Sequence, residues 1–160
     1  MKQLQVIYKF ILVIALILIS GCTVEEDFSS FNLEIKNETG QNITLEFYET
    51  SIINNSNSAI LAYTEELNAS GSYLCNYRFS SFVGLKACRN RADVDIINRI
   101  IIRFENNKGY LCDSLGDSMT CFDGDRAFFL GTSLGWASLN DNNYTFTITQ
   151  QDFDNAFDLP

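Results

Sequence analysis

Apolar and polar residues alternate in several short segments after residue 30, and this pattern limits the fold more than any other feature. In segment 31–36 (FNLEIK) every second residue is apolar, which places the apolar residues on one face of a β-strand. Segment 43–48 (ITLEFY) alternates in the same way, and the residues between the two segments include Gly40 and two Asn, which favour turns. We therefore expect the two segments to form an antiparallel hairpin with one buried face.

Six further segments carry the same signal or a run of strand-forming residues. They are 60–66, 73–82, 96–104, 110–112, 126–130 and 144–149. The residues expected to share one face within a segment are Tyr73, Cys75, Tyr77 and Phe79, then Ile96, Ile100, Ile102 and Phe104, and then Tyr144, Phe146 and Ile148. About eight strands with frequent turn signals predict an all-β fold, an antiparallel β-sandwich or a flattened barrel.

A short helix is expected at the end of the chain. Thr149 and Asp152 have the spacing of a capping box, with Asp in place of the usual Glu. Phe153, Ala156 and Phe157 would then lie on one helix face. Because two turns are too few for a stable isolated helix, we expect this helix to dock its Phe pair on a sheet.

The first 22 residues have the layout of a signal for export. Lys2 and Lys9 precede ten apolar residues, 10–19, and ten helical residues span about 15 Å, roughly half of a bilayer core. A basic segment before a short apolar one is typical of a secretory signal peptide. The next residues, Ile-Ser-Gly-Cys at 19–22, resemble the lipobox of bacterial lipoproteins. An ordinary signal peptide with a chance Cys22 is the alternative.

The lipobox resemblance implies cleavage before Cys22, diacylglycerol on its sulfur and acylation of its new amino group. Two or three acyl chains hold a protein firmly to a bilayer. We therefore expect a signal peptide at 1–21, an acylated Cys with an acidic tether at 22–30, and one β-rich domain at 31–160, anchored in the cell envelope at the outer membrane.

The tether carries a short acidic run close to the lipid. Glu25, Glu26 and Asp27 follow Cys22 within five positions, and they resemble the surface-export signals of Bacteroidetes lipoproteins. The small, Asn-rich, β-rich body also resembles uncharacterised lipoproteins of that phylum. The resemblance implies display on the cell surface, whereas the alternative is a solvated linker without a signal.

Charge and composition exclude several functions. The 160 residues hold 11 Lys+Arg against 20 Asp+Glu and no His, which excludes Ser-His-Asp and Cys-His catalysis and His-ligated zinc. A net charge of −9 argues against a nucleic-acid partner. Without Lys2 and Lys9 the chain keeps 9 basic and 20 acidic side chains, a net charge of −11. Anionic headgroups repel such a domain, so it should stand off the membrane.

Four cysteines remain beyond Cys22, and an even number in an exported protein predicts two disulfides. We expect Cys75–Cys88 and Cys112–Cys121, because each pair flanks one polar loop between apolar segments. Zinc is the rival, but its ligands usually come in pairs two to four residues apart, and the separations here are 13, 24 and 9.

Carboxylates gather around the second cysteine pair, at Asp113, Asp117, Asp123 and Asp125. Oxygen-rich loops suit calcium, although the EF-hand pattern is not complete, and a solvated turn is the alternative. We expect no catalytic residue and no cofactor. Within the same loop, Asp-Ser-Leu at 113–115 and Asp-Ser-Met at 117–119 resemble the O-glycosylation triplet of Bacteroidetes exported proteins, which implies Ser114 and Ser118 as modified residues.

Two other features are open to a functional or a structural interpretation. Segment 78–103 is basic, and it could bind an anionic partner or glycan or pair with acidic residues of the same domain. Trp136 could stack on a sugar or belong to the core.

Two function classes remain for this chain. The first is a non-catalytic binding or accessory module displayed on the envelope, with a protein or glycan partner held by loops at one end of the fold. The second is an immunity or inhibitor protein against a basic toxin or hydrolase, whose approach the negative charge would accelerate.

Overall fold

The computed structural model describes residues 27–50, 59–88, 96–114, 120–122, 126, 129 and 135–159. These residues form two β-sheets, of four and five strands, packed as a β-sandwich with one short helix. The predicted all-β sandwich and the C-terminal helix are therefore confirmed. Within this part of the chain no helix is long and apolar enough to cross a membrane.

The four-stranded sheet has the order β4 (Ser72–Phe79), β1 (Ser29–Glu38), β8 (Asn143–Thr149) and β7 (Ala137–Asn140). Strand β1 pairs antiparallel with β4 but parallel with β8, so the predicted sandwich contains one parallel pair. Between β1 and β8 the chain crosses twice to the five-stranded sheet and returns, once before β4 and once before β7. Strand β1 begins at Ser29 and therefore includes the last two residues of the predicted tether.

The five-stranded sheet has the order β3 (Ala59–Leu67), β2 (Ile43–Thr50), β5 (Ile97–Phe104), β6 (Lys108–Asp113) and β9 (Phe157–Asp158). All its pairs are antiparallel. Strands β5 and β6 form an antiparallel hairpin.

The predicted hairpin of β1 and β2 is wrong, because the two strands lie in different sheets. Asn37, at the end of β1, is fully buried. Its amide nitrogen lies 3.3 Å from the carbonyl oxygen of Leu67 and 2.9 Å from that of Asn68, and its side-chain oxygen accepts from the Thr39 backbone N–H and hydroxyl. These bonds tie the connection to the end of β3, so it arches over the end of the sandwich and leaves both apolar faces against one core.

The core consists of the alternating residues of both sheets. Among the most deeply buried are Leu33, Ile35, Leu45, Phe47, Ile100, Ile102, Phe104, Phe146 and Ile148. Two expected core residues are exposed instead: Phe79 is 42% exposed and Ile96 is 57% exposed. Phe79 ends the edge strand β4, and the β2–β5 register shifts at Tyr48/Glu49, so that Ile97 enters the core in place of Ile96.

Helix α1 (Gln150–Asp154) begins at the predicted capping box. The Asp152 N–H donates to Thr149 Oγ1 over 3.3 Å, and the Thr149 N–H donates to Asp152 Oδ2 over 2.7 Å. Phe153 packs edge-on against Phe104, with ring centroids 5.1 Å apart. Phe157, expected on the same helix face, lies in β9 instead, because the helix ends at Asp154.

Both predicted disulfides are present. Cys75–Cys88 and Cys112–Cys121 have Cα–Cα distances of 5.7 and 4.8 Å.

Trp136 is 3% exposed and packs edge-on against Phe146, so the core interpretation of this residue is the correct one. Of the predicted strand 126–130, only Arg126 and Phe129 fall within the described residues.

Candidate binding cleft

A cleft of about 490 Å³ lies between β6, the segment after the second disulfide, and α1. This volume is in the range of small-ligand sites. The described residues that line it are Tyr110, Cys121, Phe122, Arg126, Thr149, Gln151, Asp152, Asn155 and Phe157.

Three aromatic rings form the apolar part of the cleft. Tyr110 stacks on Phe122 with a centroid distance of 4.1 Å and an interplanar angle of 12°. Phe157 meets Tyr110 edge-on at 5.7 Å and 89°. Tyr110 and Phe122 are buried, whereas Phe157 is 37% exposed, so Phe157 is the ring that solvent reaches.

Among the described lining residues, one ion pair provides the charge in the cleft. The Arg126 guanidinium donates to Asp152 Oδ1 and, over 2.6 Å, to the Thr147 carbonyl oxygen. The guanidinium carbon lies 4.6 Å from the Phe122 ring centroid and 4.7 Å from that of Phe146, a cation–π arrangement. Asp152 Oδ2 accepts from the Thr149 N–H and hydroxyl. Both carboxylate oxygens of Asp152 are therefore engaged.

The walls of the cleft are held by covalent and backbone links. The Cys112–Cys121 disulfide fixes the segment that carries Phe122 to β6, and the Leu111 N–H donates to the Thr120 carbonyl oxygen over 3.0 Å. Gly109 allows β6 to pass close to its neighbours, because a Cβ there would clash with the Ile102 carbonyl oxygen and approach Leu159 to 2.8 Å. Phe157 is thus placed by the pairing of β9 with β6.

Two amide side chains complete the rim. Gln151 on α1 and Asn155 directly after it are both exposed. Neither side chain has a hydrogen-bond partner within the described part of the chain. Each offers one acceptor oxygen and two N–H donors to a ligand.

The carboxylates expected near calcium are not brought together by the described residues. Asp113 forms an ion pair of 2.8 Å with Arg99, while Asp117, Asp123 and Asp125 lie outside the described ranges. Within those ranges there is no group of three or more residues of metal-ligand type.

Most residues expected to carry a modification or an export signal lie outside the described ranges. Ser114 is half-buried and its N–H donates to the Asn98 carbonyl oxygen over 2.7 Å. Ser118, Cys22, Glu25 and Glu26 fall outside the described ranges, and Asp27 is exposed.

The basic segment supplies ion pairs on the outer face of the five-stranded sheet. Arg99 pairs with Asp113, and Arg103 donates to Glu46 over 2.9 Å. Burial raises the pKa of Glu46, but hydrogen bonds from Arg103 and Tyr48 outweigh it, so that the pKa lies below its usual range. For these two arginines the pairing interpretation is therefore the correct one.

A row of four asparagines crosses the outer face of the four-stranded sheet. Asn76, Asn32, Asn143 and Asn140 are cross-strand neighbours. Asn32 Nδ2 donates to Asn143 Oδ1 over 2.8 Å, and Asn143 Nδ2 donates to Asn140 Oδ1. Because three of these amides bond to one another, the row stabilises the pairing of β1, β8 and β7.

Sequence reasoning missed the cleft because its parts are distant in sequence. Arg126 and Asp152 are 26 positions apart, and no local period connects them. The capping box was the one usable signal, since it fixed the position of Asp152.

Comparison of the chain with protein-family models, with curated proteins and with solved structures finds no match.

Proposed function

We propose that the protein is a non-catalytic lipoprotein of the cell envelope, anchored in the outer membrane through acylated Cys22. Its β-sandwich serves as a binding or accessory module displayed on the cell surface. The observation that carries the binding role is the cleft beside α1, which combines an exposed aromatic ring with amide side chains that have no partner among the described residues.

The N-terminal sequence supports the anchored location. The lipobox-like residues 19–22 directly follow the apolar segment, and the acidic residues of 25–27 resemble an export signal. The net charge of −11 after cleavage keeps the domain away from anionic headgroups, which leaves the cleft accessible to a partner.

The chemistry of the cleft supports a non-catalytic role. Asp152 is the one carboxylate among its described lining residues, and the Arg126 ion pair and the Thr149 capping box use both of its oxygens. An acid or base catalyst needs access to a proton on its substrate, which this carboxylate does not have.

Anchoring is tested by partition of the full chain between detergent and aqueous phases. The parent protein should enter the detergent phase and incorporate labelled fatty acid, whereas Cys22→Ala should do neither. Thr23→Ala, at the next position, is the matched control and should behave as the parent. Equal partition of Cys22→Ala and the parent would contradict lipid anchoring.

Display is tested by adding a protease to intact cells. If residues 25–27 form an export signal, the protease degrades the parent, while a variant with Ala at 25, 26 and 27 is spared at equal total lipidated protein. Equal degradation of the parent and the variant would mean that residues 25–27 are a linker without an export signal. Equal protection of both would place the domain in the periplasm and contradict surface display.

An immunity or inhibitor role is the second candidate, and the charge distribution favours it. Arg99, Arg103 and Arg126 each neutralise one carboxylate in an ion pair, and the acidic side chains that remain in excess give the net charge of −11. A basic toxin or hydrolase would then bind with an on-rate that falls steeply with salt, and changes in the cleft would leave its binding unaffected.

A further inference from the structure

We propose that the cleft beside α1 binds an uncharged carbohydrate, with one sugar ring stacked on Phe157 and its hydroxyl groups bonded to Gln151, Asn155 and Arg126. The inference rests on the proposed binding function and names the ligand class for that same site. Three properties of the cleft carry it: its exposed aromatic ring, its amide rim and the balanced charge of its described lining residues.

The Phe157 ring supplies a flat apolar surface in the cleft that solvent reaches. Phe157 is the exposed member of the aromatic group, at 37% exposure, and it is held edge-on against buried Tyr110. Pairing of β9 with β6 fixes the backbone on which it stands. A sugar ring has one face of C–H groups, which packs on an aromatic ring without loss of its hydroxyl hydrogen bonds.

The rim supplies hydrogen bonds of both kinds beside this ring. Gln151 and Asn155 offer amide donors and acceptors that the described residues leave unused. Arg126 makes two bonds, to Asp152 and to the Thr147 carbonyl oxygen, and a guanidinium has five N–H donors. Its side chain is 33% exposed, so the remaining donors can reach a hydroxyl group.

The charges of the described lining residues favour a neutral ligand. Arg126 and Asp152 neutralise one another, and Asp152 is also bonded to Thr149. A carboxylated or sulfated sugar would have to compete with Asp152 for Arg126 and leave a carboxylate that is only 10% exposed without its partner, which is unfavourable. A cationic ligand would have to displace Arg126.

The volume limits the size of the ligand. A cleft of about 490 Å³ holds one or two sugar rings rather than a long chain. The cleft therefore contacts one or two sugar units of a glycan.

The test is binding of the full lipidated chain, in detergent micelles, to an array of neutral, carboxylated and sulfated oligosaccharides, together with a peptide library. We expect binding to neutral glycans and a loss of at least tenfold in affinity in Phe157→Ala. Gln151→Ala and Asn155→Ala should each weaken binding about threefold to tenfold. Leu139→Ala removes an exposed apolar residue from β7 (59% exposed) and is the matched control; it should bind as the parent does.

Thermal unfolding of each variant identifies any loss that is due to misfolding, and the two amide variants test the same site without removing an apolar group. Binding restricted to charged glycans, no binding to any glycan, or equal glycan binding by Phe157→Ala and the parent would overturn the carbohydrate inference. Binding of a peptide that Phe157→Ala abolishes would also overturn it, but would support the binding module itself. Absence of any binding that depends on Phe157 would count against both.

Discussion

The guanidinium of Arg126 donates to the carboxylate of Asp152 and thereby joins the segment after the second disulfide to the C-terminal helix. The guanidinium carbon also lies 4.6 Å from the ring centroid of Phe122 and 4.7 Å from that of Phe146. One side chain thus contacts the core, the cleft and the helix cap.

Replacement of this arginine should destabilise the protein. Arg126→Met keeps much of the packing but removes the Arg126 donors from Asp152 Oδ1 and the Thr147 carbonyl oxygen, which should lower the free energy of unfolding by about 2 kcal/mol. Urea denaturation measures the change. Lys108→Met is the control: it removes a more exposed pair with Asp158, at 4.0 Å, and should cost less than about 0.5 kcal/mol. Equal effects of the two substitutions would contradict the role of Arg126.

Replacement of Asn37 should destabilise the protein more than replacement of Asn32. Asn37→Ala removes the buried amide that bonds to Leu67, Asn68 and Thr39, and it should cost about 3 kcal/mol, because the buried backbone groups lose their partners. Asn32→Ala, in the exposed row of asparagines, should cost less than about 1 kcal/mol. Chemical denaturation compares the two. A small effect at Asn37 would mean that the arch does not depend on its side chain.

The two disulfides should contribute similarly to stability but differently to binding. In the chain-entropy model, removal of either pair by Cys→Ala substitutions costs about 3 kcal/mol. Only loss of Cys112–Cys121 frees the segment that holds Phe122 against Tyr110, so only that variant should lose ligand affinity at a temperature where both are folded. Non-reducing peptide mapping should recover both linked pairs, and crossed peptides would show that the pairing is wrong.

Glu46 should contribute stability that disappears in acid. Its pKa is lowered in the folded protein, so the contribution is complete above the unfolded value of about 4.3 and is lost as the pH falls through the lower folded value. Glu46→Gln should therefore show a smaller loss of stability than the parent between about pH 5 and pH 3. Glu38→Gln, at an exposed position at the end of β1, is the control. Identical pH profiles of Glu46→Gln and the parent would contradict the ion pair with Arg103.

Alternation was sufficient to predict the strands but not their partners. The alternation in 31–36 and 43–48 predicts that the apolar face of each strand lies in a core. The apolar face is buried in both strands, as expected. The same pattern fits a hairpin and an arch between two sheets equally well. The difference lies in Asn37, whose bonds reach residues 67 and 68, and no local sequence signal shows such a distant contact.

The cysteine pairs and the helix cap could be predicted because each is defined by residues close in sequence. Thr149 and Asp152 are three positions apart, and each disulfide closes a short loop. The cleft instead needs Tyr110, Arg126 and Phe157 to meet across three elements. Its assembly depends on tertiary packing, which periodicity does not describe.

Labelling of intact cells tests the membrane-anchored binding module most directly. The label is a fluorescent form of the neutral oligosaccharide that the purified protein binds best. Cells that produce the parent protein or Leu139→Ala should be labelled to the same degree. Cells that produce Phe157→Ala at equal surface level should lose at least nine-tenths of the label, and Cys22→Ala should give unlabelled cells because the protein is not retained. Labelling that persists in Phe157→Ala, or in cells without lipidated protein, would contradict a membrane-anchored binding module that acts through this cleft.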